Sequence, residues 1–208
     1  MNNNDSIRII DITKNKSYSV YLQRCFVGPF RKYKRREEYL TKTIPQGFRK
    51  KLLFFNEDRV GTIEYAPSNA SYYPITGENL LVLNCIWILQ RASGHNLGKV
   101  LFKDMLKNNP NISGVATIAL EDHWTGWFLK EHLEKFGFSS IDSIRVIDKR
   151  KHQDKPFFIH LMWLPLKIKA RKPSWDKAKL LEGITYCLYH PLYHPISYAE
   201  KNLLKEAR

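Results

Sequence analysis

Gly94 and Gly98 frame the seven residues Ser93-Gly94-His95-Asn96-Leu97-Gly98-Lys99. Before them lies an apolar run from Leu80 to Leu89. After them Leu97, Val100, Leu101, Met105 and Leu106 recur at helical spacing. A strand, a glycine turn and a helix aim unpaired backbone N–H groups and a positive helix end at one point, which is chemistry for holding a phosphate. The turn is not a Walker A loop. Only three residues separate Gly94 from Gly98-Lys99, and Val100 cannot ligate magnesium. It is not a dinucleotide fingerprint either, because Asn96 and Lys99 occupy the places of the later glycines. An ordinary strand-to-helix connection, with glycines serving geometry alone, is the plain alternative.

A second spacing, Cys187-x-x-His190-x-x-x-His194, has the look of metal ligands. It offers three ligands without a fourth, and its prolines prevent a helix from presenting both histidines on one face. An aromatic, proline-rich packing strap is the better reading, and no metal site is expected.

The elements that must position these residues follow from period and punctuation. Ile7 to Ile12 reads as a strand, and Tyr18 to Lys42 as mostly helical with a break at Gly28-Pro29. Lys50 to Tyr65 reads as a hairpin with a polar turn, and Ser68 to Gly77 as a loop near an acceptor site. A strand at 80–89, a helix at 97–108, a strand at 114–120 and a helix from Trp124 to Phe136 come next. Strands near 140–147 and 156–165 complete the main body. Beyond Pro165 a basic linker precedes a short helix from Trp175 to Leu181, a possible strand from Gly183 to Tyr189 and a helix from Ser197 onward. Such a tail is too short to be stable alone and is expected to pack on the main body.

With those elements in place, the turn resembles the Gln/Arg-Gly-x-Gly-x-Gly/Ala turn of GNAT-superfamily N-acetyltransferases, with Ser93 in place of the Gln or Arg and Asn96 in place of one glycine. The strand Gly114 to Leu120 and the segment Leu133-Glu134-Lys135-Phe136-Gly137-Phe138 are similar to the family's second motif, which ends Tyr-Glu-Lys-x-Gly-Phe. Cys85-Ile86-Trp87-Ile88 and Glu64-Tyr65-Ala66-Pro67 resemble the YoaP-like branch. The resemblance covers about residues 7 to 165. It implies an α/β (α+β) fold: a GNAT-like mixed, mostly antiparallel twisted sheet flanked by helices. Residues 1–165 would form the acetyltransferase domain and 166–208 a basic C-terminal extension packed on it.

The resemblance also implies acetyl-coenzyme A as co-substrate. The backbone of Ile86, Trp87 and Ile88 would hold the pantetheine arm, and the amides of Gly94, His95, Asn96, Leu97, Gly98 and Lys99 would surround the pyrophosphate. The family often supplies a Glu and a Tyr as base and acid. Here Leu133 stands at the Tyr position, and the fourth strand offers Asn84 and Cys85. Glu64 and His123 are the candidate catalytic residues in their stead. Tyr65, Tyr72 and Tyr73 are further proton donors, more commonly packing residues, and Cys85 is read as packing rather than as a nucleophile. The expected reaction is direct acetyl transfer to an amine of a small molecule or peptide.

Charge leaves a second reading open. The 208 residues carry a formal net charge of +14. Residues 31–51 hold nine Lys/Arg against two Glu, and residues 149–180 hold ten against two Asp. Basic patches attract polyanions, so RNA or ribosome contact is an alternative, with catalysis altered or absent. No apolar run reaches the length of a membrane span, and three scattered cysteines do not suggest a disulfide framework. A cytoplasmic protein without membrane contact is expected.

Overall fold

The computed structural model describes residues 6–28, 33–195 and 203–207. Strands β1 (Ile7–Asp11), β2 (Arg49–Phe55) and β3 (Asp58–Pro67) form an antiparallel meander. The β2–β3 turn places Asn56 and Glu57 at φ 48° and 64°, the two positive values that a tight hairpin turn demands. After the short β4 (Ile75–Thr76), β3 pairs antiparallel with β5 (Leu80–Ile88). The second half consists of β6 (Gly114–Glu121), β7 (Ser139–Asp148) and β8 (Phe157–Pro165), joined antiparallel in the order β6-β8-β7. One eight-stranded sheet results, in the order β1-β2-β3-β5-β6-β8-β7-β10, where β10 is Leu204–Glu206.

The two halves meet along β5 and β6, the sheet's parallel pair, and that pairing is brief. It runs Leu80↔Gly114, Leu81↔Val115 and Val82↔Ala116. Thr117 Oγ1 then donates to the Leu83 carbonyl at 2.7 Å. Beyond it no ladder joins the two strands among the described residues, so they diverge. β6 is buried along nearly its whole length. Its side chains alternate between one apolar cluster, with Ala116, Ile118 and Leu120, and another, with Val115 and Ala119, as a central strand covered on both faces requires. Helix α3 (Leu97–Lys107) buries Leu97, Leu101, Phe102 and Met105 in the second cluster. Burying one such side chain contributes about 1.5–3 kcal/mol.

Three expected helices differ. The segment after Tyr18 forms only α1 (Ser19–Leu22), and α2 (Lys34–Thr43) begins later. The Leu22 carbonyl accepts from Arg36 Nε at 3.2 Å and the Arg24 carbonyl from Lys50 Nζ at 2.7 Å. Side chains thus take carbonyls that a continuing helix would use. The helix expected from Trp124 shrinks to α4 (Lys130–Glu134). Phe128 adopts φ 51° and its carbonyl accepts from Leu120 N–H at 2.8 Å, so this stretch follows β6 as a short strand-like segment. Trp175 belongs to β9 (Ser174–Trp175), paired with β4. Helix α5 (Lys177–Leu181) starts after Asp176, whose side chain caps the Lys179 amide.

The tail holds no strand over 183–189, only an isolated bridge between Ile184 and Tyr193. The helix expected from Ser197 lies outside the described residues as far as 202. Past them Leu204–Glu206 is a strand on the edge of β7. Leu180, Ile184, Tyr186, Leu192, Leu203 and Leu204 share one apolar cluster with β6, β7 and β8. Among the described residues no helix is long and apolar enough to cross a membrane.

Candidate active site

The divergence of β5 from β6 makes the site. Leu89 N–H donates to the Val60 carbonyl on β3 at 2.8 Å. Peptide groups alternate along a strand, so those of Ile86 and Ile88 face the opposite edge, toward the opening. Their side chains pack against the α3 cluster, while Trp87 turns to the other face.

At the end of β5 a single 3₁₀ turn leads to Gly94 at φ 84° and Asn96 at φ 54°. Glycine takes a positive φ without strain, and Asn is among the few residues that tolerate it. Helix α3 begins at Leu97 with no side chain capping it. Among the described residues no backbone carbonyl accepts from the amides of Gly94 to Lys99. These donors, at a positive helix end, suit a diphosphate.

A cleft of about 430 Å³ runs from Ile86, Trp87 and Ile88 to Asn96, Gly98 and Lys99, and Phe128, Leu133 and Phe136 form its other wall. A Cβ at Gly98 would sit in van der Waals contact, 3.4 Å from Phe136 and 3.9 Å from Ile88, so a larger side chain here would project between the two walls. Six of the nine residues expected to hold a coenzyme line this cleft. Gly94 and His95 are exposed on the adjoining turn, with the His95 ring 4.7 Å from that of Phe55, and Leu97 is buried under α3. Leu133, at the position of the family's Tyr, faces the cleft with no hydroxyl to offer.

A second cavity, of about 420 Å³, adjoins the first, and Trp87 and Gly126 line both. Thr62↔Trp87 and Glu64↔Cys85 are register partners, so these four side chains share one sheet face, and all four line the second cavity. Opposite them stand Trp124 to Trp127, the loop around Cys25 and the strap from Tyr186 to Tyr193. The strap is seated on the Gly28 loop, where a Cβ would lie 1.8 Å from the Tyr189 ring.

Glu64, a candidate base, is buried here. Its Oε1 accepts from Arg36 at 2.6 Å and Lys50 at 2.9 Å. Burial by itself would raise the carboxyl, but the two cations outweigh it and hold the pKa at about 2. Burial and the neighbouring Arg36 charge lower Lys50 despite its contact with Glu64. A carboxylate so committed has little affinity for a further proton.

His123, the other candidate, is buried behind Thr125. Its Nδ1 lies 2.8 Å from Thr125 Oγ1 and accepts from the Thr125 amide at 3.2 Å. Thr125, not His123, lines the cavity. Burial, with His152 nearby, lowers the imidazole to about 4 against a weaker opposing effect of Asp148, leaving it neutral at pH 7.

Asn84, Tyr73 and His190, named separately in the sequence, meet at a bulge in β5, which no local spacing signals. The register steps from Glu64↔Cys85 to Tyr65↔Leu83, leaving Asn84 as the extra residue. The Asn84 carbonyl accepts from Tyr73 Oη at 3.0 Å, and Tyr73 Oη lies 3.1 Å from His190 Nε2. Because His190 Nδ1 accepts from Leu192 N–H at 3.0 Å, Nε2 carries the proton and donates to Tyr73. His190 is therefore part of a buried relay. Among the described residues no group of three His, Cys, Asp or Glu could hold a metal. Cys85 is half-buried; its desolvation pushes the thiol up, and the Glu64 charge adds to this. One signal pointed to Arg36: it occupies the same helical stripe as the buried Leu40 and Thr43.

No family model matches the sequence, and no curated protein is similar to it. Solved structures are similar in fold. A protein described as a GNAT-family acetyltransferase from Desulfovibrio desulfuricans superposes with a TM-score of 0.53 at 12% identity, over 78% of this chain and 100% of that one. The ribosomal-protein-S18-alanine N-acetyltransferase from Escherichia coli gives 0.52 at 11% identity, over 81% and 97%. A GNAT-family acetyltransferase from Streptococcus pneumoniae gives 0.50 at 17% identity, over 78% and 100%. The chain has the mixed, mostly antiparallel fold of GNAT-family acetyltransferases. None of the comparisons distinguishes the YoaP-like branch.

Proposed function

We propose that this chain is an acetyl-coenzyme A-dependent N-acetyltransferase that moves the acetyl group directly to an amine. The observation that carries the reading is the meeting of two cavities at Trp87 and Gly126, beside the divergence of β5 from β6. One cavity ends at unpaired amides and a helix N-terminus, and the other has the size of a small acceptor.

The unpaired amides, the slot beside Gly98 and the outward peptide groups of Ile86 and Ile88 fit a coenzyme with a diphosphate and an amide-bearing arm. Gly94, His95, Asn96, Leu97, Gly98 and Lys99 would hold the diphosphate through backbone N–H groups, with the exposed Lys99 adding charge. When bound, the coenzyme supplies an activated acetyl thioester. The chain does the rest. Trp87 and Gly126 define where the amine must stand. Thr125 Oγ1 takes the amine's proton while its own passes to His123 Nδ1, and Glu64 fixes Arg36 and Lys50 beneath the site. Direct transfer is favoured because burial keeps the Cys85 thiol protonated.

A nucleic-acid or ribosome-binding reading draws less support. Arg36, Lys50 and Lys51 of the first basic cluster are buried and ion-paired, so they present no surface charge to a polyanion. Three cysteines held as thiols are compatible with a cytoplasmic setting.

Calorimetry with acetyl-coenzyme A, followed by thiol release over an amine panel, tests the proposal. Saturable binding and amine-dependent release are expected. No binding by the folded chain would overturn it.

A further inference from the structure

The chemistry of the second cavity selects among amines. Aromatic rings recur around its wall: Phe26, Trp87, Trp124, Trp127, Tyr186 and Tyr193 all contribute. Such rings offer faces to a flat, conjugated ligand. A volume of about 420 Å³ lies toward the small end of the roughly 300–1,000 Å³ typical of ligand sites.

Its charge is one-sided. Arg36, Arg150 and Lys151 line it, and Glu64, the carboxylate among the lining residues, is already bound by Arg36 and Lys50; Arg150 is paired at 4.0 Å with Asp148 behind the wall, and Lys151 is exposed. A protonated alkylamine would therefore enter a positive field with no lining carboxylate to spare, and the Thr125–His123 pair, its imidazole lowered by burial, is a weak acceptor for the proton of so basic a group. An arylamine avoids both costs, because its lone pair is delocalised into the ring and it is neutral at pH 7. An anionic substituent would be welcomed. Arg150, whose Nη2 donates to the Tyr193 carbonyl at 2.8 Å, and the exposed Lys151 stand at the β7–β8 end, while Trp87 and Gly126 stand at the coenzyme end.

We infer that the acceptor is a small arylamine bearing a carboxylate or similar anion, its amine at the Trp87–Gly126 junction and its anion toward Arg150 and Lys151. This rests on the acetyltransferase reading above. The amine nitrogen forms the new C–N bond to the acetyl carbon as the C–S bond breaks. The thiolate leaves with the electron pair, and the proton lost by nitrogen balances it as thiol. The products are an N-acetyl arylamine and coenzyme A.

The full chain is first titrated with acetyl-coenzyme A, then assayed for thiol release with 4-aminobenzoate, aniline, 4-(aminomethyl)benzoate and an alanyl peptide. The expected order places 4-aminobenzoate first, with kcat/KM about tenfold or more above aniline, the order of one charge-assisted hydrogen bond. Arg150→Gln and, separately, Lys151→Gln should raise KM for 4-aminobenzoate with kcat little changed, narrowing its advantage over aniline. Lys151 is exposed, so its variant remains informative if Arg150→Gln melts early. Binding of acetyl-coenzyme A with preference for the alkylamine, the peptide or aniline overturns the acceptor assignment and leaves the transferase reading standing. Absence of coenzyme binding sinks both.

Discussion

Arg36 Nη2 lies 2.6 Å from Glu64 Oε1, and both side chains are at least 95% removed from solvent. Lys50 completes the cluster at 2.9 Å. Removing the single anion strands two buried cations. Glu64→Gln is therefore expected to lower stability by about 3–5 kcal/mol, the usual cost of breaking a buried pair from one side. Urea unfolding measures it, and an unchanged midpoint would show that the cluster is not what it appears in the fold.

Acid should reveal the same cluster. The folded-state carboxyl of Glu64 sits at about 2 against an ordinary 4.5. Its stabilisation is thus fully present above pH 4.5 and fades as pH falls from there toward 2. Thermal melting between pH 6 and 2.5 should fall more steeply for the native chain than for Glu64→Gln. Parallel curves would remove Glu64 as the cause.

Gly98→Leu places a branched side chain between Ile88 and Phe136, in the cleft rather than in the core. Acetyl-coenzyme A affinity should fall by about a hundredfold or more, equivalent to about 2.7 kcal/mol, while the melting temperature changes little. Calorimetry and melting on the same preparation separate the two effects. Retained affinity would remove the turn as the diphosphate site.

Cys25 should be the reactive thiol. A hydrogen bond from Cys187 lowers it most, burial opposes, and the backbone amides of Val27 and Gly28 help to bring it to about 6. Alkylation at pH 7 followed by peptide mapping should label Cys25 well before Cys85. In Cys187→Ala the lost donor should move the alkylation midpoint to higher pH, so that labelling at pH 7 slows. An unmoved midpoint contradicts the pairing.

The turn beside the first cleft is readable from its residues because backbone geometry shapes it. Gly94 and Asn96 take positive φ values, and such demands leave a trace in residue type. The second cavity is less readable. Arg36 reaches Glu64 across 28 positions of sequence, and Tyr73 reaches His190 across 117, distances that no local period encodes. The stretch from Trp124 to Phe136 misleads for a related reason: its apolar residues fall at helical spacing, yet Trp124 and Trp127 serve the cavity wall and Phe128 follows β6. Glu64 and His123 were visible as ionisable groups, but their partners, and hence their proton affinities, belong to the assembled fold.

Every residue lining the first cleft precedes position 137, whereas the second cavity takes one wall from the strap between 186 and 193. Clipping that strap would strip the second chamber of a wall and leave the lining residues of the first in the chain.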